Sequence, residues 1–154
     1  MTRRTKLARF IAAGFGTGHA PLAAGTVASA AAVITGAAFL LVSPWLLAIA
    51  AASATIGGAL AIRKAAIEGD PGWVVVDEFA GQWITLLALA RPTLPGLLAA
   101  FVLFRLFDIT KLGPVGWADR RHGAFAIMAD DVIAGLIAAA LLIAVRLLRP
   151  EWLM

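Results

Sequence analysis

Apolar residues in this chain fall into long runs separated by short polar breaks. The first run, 26–42, is stopped by Ser43-Pro44, and the second, 45–62, ends at Arg63-Lys64. A polar stretch, 63–72, closes with Asp70-Pro71-Gly72, a turn signal. A third run, 73–90, carries Asp77 and Glu78 and ends at Arg91-Pro92. The fourth, 95–109, is short for a bilayer crossing, so it is expected either to tilt or to dip in without crossing fully. A polar loop, 111–129, leads into a last run, 130–148, that is long enough to cross. The pattern predicts an all-α, polytopic membrane helix bundle of four to five transmembrane or re-entrant segments. It reads as one integral membrane domain, 1–154, with a basic N-terminus and Gly-rich loop over 1–25 and the bundle over 26–149. The abundant alanine and glycine suit close helix approach in lipid.

Composition agrees with the pattern. The 154 residues are 62% hydrophobic and 14% charged, whereas a soluble domain carries about 25% charged residues. There is no cysteine, which excludes a disulfide framework, a thiolate nucleophile and a soft-metal site. The net charge of +4 sits in clusters flanking the apolar runs, so the expected partners are the membrane and its anionic lipid, and not nucleic acid. The first ten residues carry Arg3, Arg4, Lys6 and Arg9, and the glycines that follow interrupt any signal-peptide core, so this segment reads as retained. The positive-inside rule puts it on the cytoplasmic side, with Arg63-Lys64 and with Lys111, Arg120 and Arg121. Five crossings satisfy all three clusters but leave Arg146 and Arg149 outside. A fourth segment that fails to cross would bring them in.

Five carboxylates lie in or beside the apolar runs: Asp77, Glu78, Asp108, Asp130 and Asp131. Each would cost about 2.5–3.5 kcal/mol at the bilayer centre. The five-crossing topology brings all five to the cytoplasmic end, where water, cations or a metal can offset that cost. Oxygen ligands near water, without cysteine, suit Mg²⁺. Neighbours on a helix point about 100° apart, so one member of each adjacent pair reaches a metal first. Arg105 and Asp108 share a helix face at i, i+3, and Arg105 reads either as a counter-ion or as a phosphate ligand. In the stretch 13–29, Gly14, Gly16 and Gly18 precede His19, Gly25, Thr26 and Ser29. Such a loop opening onto a helix can bind an anion through backbone N–H groups and hydroxyls, although close helix packing accounts for glycines equally. Lys111, three residues after Asp108, reads as a phosphate ligand or as solvated positive-inside charge. Acids that bind ions in transit, in a small cation transporter or channel subunit, are a second reading. A lipid-head-group phosphotransferase is a third, without its Asp-x-x-Asp-Gly signature.

The strings DEFAGQWITL (77–86), FRLFDITKLGP (104–114) and GAFAIMADDVIAG (123–135), with GFGTGHAPLAAGT near the start, resemble the bacterial phosphatidylglycerophosphatase A family over nearly the whole chain. The resemblance implies a multi-pass protein of the bacterial inner membrane that hydrolyses phosphatidylglycerophosphate to phosphatidylglycerol with Mg²⁺, its site facing the cytoplasm. It implies metal ligands among Asp77, Glu78, Asp108, Asp130 and Asp131, with Asp77, Glu78 and Asp131 catalytic. The substrate phosphate is expected to meet Arg105, Lys111, Thr26, Ser29 and His19. Ala24, Ala28, Leu112, Ala124 and Ala126 depart from the family's usual proline or glycine at those positions, and none of these changes removes an acid or the lysine.

Overall fold

A computed structural model describes residues 2–67 and 69–153; Met1, Glu68 in the polar stretch 63–72, and Met154 lie outside the described residues. Among the described residues there are helices and turns and no strand. The helices are α1 (Arg3–Ala12), α2 (Ala24–Val42), α3 (Pro44–Lys64), α4 (Val76–Leu86), α5 (Leu94–Thr110), α6 (Pro114–Asp119) and α7 (Ala124–Leu148), with 3₁₀ turns at Gly14–His19 and Pro150–Leu153.

Three helices, α2, α3 and α7, are long and apolar enough to cross a membrane. Their boundaries have local causes. Ser43 caps α3 by accepting from the Trp45 amide (3.1 Å), and Pro44 occupies the first turn, where its missing N–H costs nothing. Thr93 caps α5 in the same way, accepting from the Gly96 amide. The outward faces of these helices carry Ile34, Leu41, Ile49, Ile56, Val102 and Leu147, all exposed. An apolar exterior of this extent is suited to lipid.

The third apolar run is the one the structure redraws. It is not a spanning helix: only Val76–Leu86 is helical, 11 residues, or about 16 Å. Residues 71–75 form a turn and a short irregular stretch, with the Val74 amide donating to the Pro71 carbonyl (2.8 Å) and the Val75 amide to the Ala12 carbonyl (2.9 Å). Beyond Leu86 the chain tightens into successive i→i+3 bonds at Ala88 and Leu89. α4 is the centre of the bundle, packed by α2, α3, α5 and α7, and nine of its residues are buried. Its run of apolar residues reflects protein burial rather than lipid contact.

Two further boundaries differ from expectation. The polar loop 111–129 contains α6, and α7 begins at Ala124, so Asp130 and Asp131 lie in its second turn instead of at its start. α5 returns the chain from the far end: Thr93 at its start donates to the Leu153 carbonyl, while Asp108 lies fifteen residues on, about 22 Å along the helix. Arg146, equally far from Asp131 along α7, donates to the Ala88 carbonyl (2.7 Å). The bundle therefore has an acid end, which also holds α1, and a far end with the C-terminus.

α4 and α7 cross in close contact because both carry glycine there. A Cβ on Gly135 would lie 2.4 Å from the Gly81 carbonyl oxygen. Thr85 Oγ1 donates to the Gly81 carbonyl one turn back in α4 (2.9 Å) and lies 3.3 Å from the Gly135 carbonyl across the crossing.

Candidate active site

The acids meet where α4 starts, α5 ends and α7 completes its second turn. Asp77 and Glu78 occupy the first turn of α4, where the helix dipole favours negative charge. The Glu78 amide donates to Asp77 Oδ1 (3.1 Å). α7 passes close enough at Gly81 to bring Asp131 alongside: one carboxylate oxygen from each of Asp77, Glu78 and Asp131 lies within 4.8 Å of the others. Asp77 and Asp131 are buried, at 7% and 3% exposure.

The remaining two predicted acids are paired with cations. Lys111, in left-handed conformation at the end of α5, donates to Asp108 Oδ1 (3.2 Å) and to Asp130 Oδ2, and lies 3.5 Å from Asp119 Oδ1. Burial lowers the affinity of its ammonium for the proton. The hydrogen bond and charge of Asp130, with the charge of Asp108, outweigh this and hold it above the ordinary lysine value. Arg105, one turn before Asp108, donates to Asp108 Oδ2. The same guanidinium reaches Ser29 Oγ (3.4 Å) and Thr26 Oγ1 (3.5 Å) on α2 and comes within 4.0 Å of Glu78 Oε1. Ser29 is fully buried and spends its own proton on the Gly25 carbonyl (2.9 Å), so its oxygen is an acceptor for Arg105.

Asp77, Glu78, Asp108, Asp130, Asp131, Arg105 and Lys111 line a cavity of about 290 Å³, open to the outside, with Asp70, Gly72, Val74, Ile109 and Gly25. Six carboxylates face two cations in it. Glu78 Oε2 and Asp130 Oδ1 are buried without a partner. An all-oxygen donor set, an excess of negative charge and orphaned carboxylate oxygens fit a hard divalent cation. Asp77, Glu78 and Asp131 are the residues that would hold it, since Asp108 and Asp130 are engaged by Arg105 and Lys111.

Of the expected phosphate ligands, Arg105 and Lys111 line the cavity, and Thr26 and Ser29 stand behind Arg105. His19 is not among the lining residues; its ring stacks on Trp73 at 6.4 Å, beside Arg9 and Lys6. Gly25, read from the sequence with the glycine loop, lines the cavity, and Asp70 in the lining and Asp119 beside Lys111 are additions. Asp70 read only as a turn residue, and no spacing in the sequence ties it to the acids. Burial against the cavity wall raises the Asp70 carboxyl above its ordinary value, and the charge of Asp130 adds to this. None of the five positions that depart from the family pattern lines the cavity.

Among known proteins, the chain is 39% identical to phosphatidylglycerophosphatase A of Escherichia coli over 137 residues, covering 86% of this chain and 79% of that protein. It is 36% identical to phosphatidylglycerophosphatase A of Haemophilus influenzae over 141 residues, 88% and 86% of the two chains. A Bacteroides thetaiotaomicron protein, provisionally named a phosphatidylinositol-3-phosphatase, is 36% identical over 157 residues, 95% and 98% of the two. No solved structure matches. The family description of phosphatidylglycerophosphatase A matches residues 10–146, a span that contains every acid and both cations of the cavity, and the chain belongs to this family of lipid phosphatases.

Proposed function

We propose that this chain hydrolyses the phosphomonoester of phosphatidylglycerophosphate to phosphatidylglycerol and phosphate, with Mg²⁺, at the cytoplasmic side of the bacterial inner membrane. The observation that carries the reading is one cavity, at one end of a lipid-facing bundle, where an all-oxygen acid trio stands beside Arg105 and Lys111. Anionic phosphate needs such cations, and a lipid headgroup needs an opening at bilayer level.

Asp77, Glu78 and Asp131 would hold the metal, which when bound would neutralise phosphate charge and make a water more acidic. The water oxygen attacks phosphorus as the ester P–O bond to glycerol breaks; the water's proton passes to a carboxylate of the trio and from there to the departing glycerol oxygen, which leaves as the alcohol. Arg105, whose Nε is buried without a partner, and Lys111 offer N–H donors to the phosphoryl oxygens. Thr26 and Ser29 hold Arg105 in place, and Asp119 steadies Lys111 from the outer side. The lipid tails remain beside the apolar helix faces.

The cytoplasmic assignment rests on charge. Arg3, Arg4, Lys6, Arg9, Arg63, Lys64, Arg120 and Arg121 gather at the acid end, whereas Arg91, Arg146 and Arg149 mark the far end. A transporter is disfavoured, because its ion site belongs near the midplane and these acids lie at one end.

The test is phosphate release by the purified protein in neutral detergent, with Mg²⁺ or with chelator, from phosphatidylglycerophosphate, phosphatidic acid and phosphatidylinositol 3-phosphate. Release from the first substrate that chelation abolishes is expected. Metal-independent release would overturn the cofactor, and preference for the inositol lipid would overturn the substrate.

A further inference from the structure

A second recess opens at the acid end, outside the acid cavity, and nothing in the proposed reaction uses it. Lys6, Arg9 and Phe10 of α1, His19 of the 3₁₀ turn and Trp73 line a space of about 220 Å³. No carboxylate lines it, and among the described residues neither Lys6, Arg9 nor His19 has a salt-bridge partner. Three nitrogen-bearing side chains therefore line one space with no carboxylate partner among the described residues.

The recess is preorganised. The Arg9 guanidinium lies over the Trp73 ring at 4.5 Å, and the His19 ring stacks on the same indole, 21° from parallel. The turn that carries His19 is seated on residue 73 by close backbone contact: a Cβ on Gly18 would lie 2.0 Å from the Trp73 carbonyl oxygen. The Val75 amide pins the end of α1 to the same strand of chain. Beside the recess, Phe10 and Phe15 pack edge to face at 5.8 Å and remain half exposed or more. This is an apolar flank of the kind that lies at acyl-chain level.

We propose that Lys6, Arg9 and His19 form a binding site for the phosphodiester of an anionic phospholipid, with its acyl chains against Phe10 and Phe15. A phosphodiester offers two charged oxygens to Arg9 and Lys6, and the imidazole supplies a further donor. The uncompensated positive charge disfavours a choline headgroup. Arg9 already covers a face of Trp73 that a quaternary ammonium would use. Trp73 lines this recess, and its chain neighbours Gly72 and Val74 line the acid cavity.

The test is calorimetric titration of the full chain in neutral detergent with chelator present, so that the result does not depend on the phosphatase reading. The probes are short-chain phosphatidylglycerol, short-chain phosphatidylcholine and inorganic phosphate. Phosphatidylglycerol should bind, the choline lipid should not, and inorganic phosphate should not compete. The exposed pair Lys6→Gln/Arg9→Gln should weaken binding about tenfold, because each charge-assisted contact removed is one of the stronger hydrogen bonds. His19→Leu, which leaves both other cations in place, should weaken it about threefold. Arg3→Gln/Arg4→Gln removes the same charge from α1 outside the recess and should leave affinity within about twofold. Equal losses from the two double variants would reduce the site to diffuse surface charge and overturn it. Displacement by inorganic phosphate would overturn the lipid assignment, as would unchanged affinity in Lys6→Gln/Arg9→Gln.

Discussion

Gly25 at the start of α2 and Glu78 at the start of α4 touch: a Cβ at position 25 would lie 2.2 Å from Glu78 Oε1 and 3.4 Å from Arg105 Nη1. The obstacle is the end of a flexible side chain, so Gly25→Ala leaves the helices packed and swings the carboxylate away. Phosphate release should fall about 10- to 100-fold, as expected for displacement of a reacting group by an ångström. The melting temperature in detergent should move by less than about 2 °C. Wild-type turnover in this variant would show that Glu78 is not needed where the structure puts it.

Asp130 and Asp131 are neighbours with opposite engagements, one on Lys111 and the other beside Asp77 and Glu78. Asp131→Asn should remove a metal ligand, so that turnover falls at least about 100-fold and added Mg²⁺ no longer raises the melting temperature. Without Mg²⁺ the same variant should be more stable than wild type, because it relieves repulsion among buried carboxylates. Asp130→Asn should retain the Mg²⁺-dependent shift. The assignment fails if the two variants exchange these behaviours.

Lys111 is the only cation shared by Asp108 and Asp130 among the described residues. Lys111→Met leaves both carboxylates buried without it and should cost about 2–3 kcal/mol, below the fully buried range because the lysine is partly exposed. Its folded-state proton affinity is raised above the ordinary 10.5, first opposed by burial and then carried by Asp130. A raised cation contributes stability that is complete below the unfolded value and is lost only as pH climbs through the folded one. The difference between wild type and variant should thus be flat from about pH 6 to 9. A difference that shrinks across that range would contradict the bridge.

Much of this arrangement was legible in the sequence. Ser43-Pro44 marked the α2–α3 junction by capping chemistry that acts within two residues. Counting crossings was enough to put Asp77, Asp108 and Asp130 at one end. The third run misled, because a helix buried in protein on every side has the same composition as one buried in lipid, and Val74 and Val75 are apolar in a non-helical segment before α4. Which of Asp130 and Asp131 joins Asp77 and Glu78 depends on the rotation of α7 about its axis, and that is fixed by the Gly81–Gly135 contact between residues far apart in the chain. Asp70 reaches the cavity only through the path of the loop after α3, which no local pattern records.

Asp70 lies exposed at the cavity mouth, and its carboxyl is raised, first by burial against the wall and then by Asp130. For a carboxylate this sign is unfavourable to folding. The penalty is absent where both states are protonated, below the ordinary 3.8, and complete above the folded value. In chelator, Asp70→Asn should therefore raise the melting temperature at neutral pH and have little effect near pH 3. Equal shifts at the two pH values would show that Asp70 stability is not linked to its charge.

Gly135 and Gly81 set the distance between α4 and α7, and here the obstacle to a side chain is backbone. A Cβ on Gly135 would lie 2.4 Å from the Gly81 carbonyl oxygen and 2.9 Å from its Cα. No rotamer change relieves this, so Gly135→Ala must move one helix. Overpacking of this kind costs about 1–3 kcal/mol. Asp131 lies one turn from the contact, so the displacement also separates it from Asp77 and Glu78. Stability and turnover should therefore fall together, unlike Gly25→Ala, where turnover falls alone. Gly57→Ala on α3, where an added Cβ meets nothing within 4 Å, should be neutral or gain up to about 1 kcal/mol from helix propensity. If Gly135→Ala unfolds no earlier than Gly57→Ala, the α4–α7 crossing is looser than the structure has it, and the acid trio is not held by this contact.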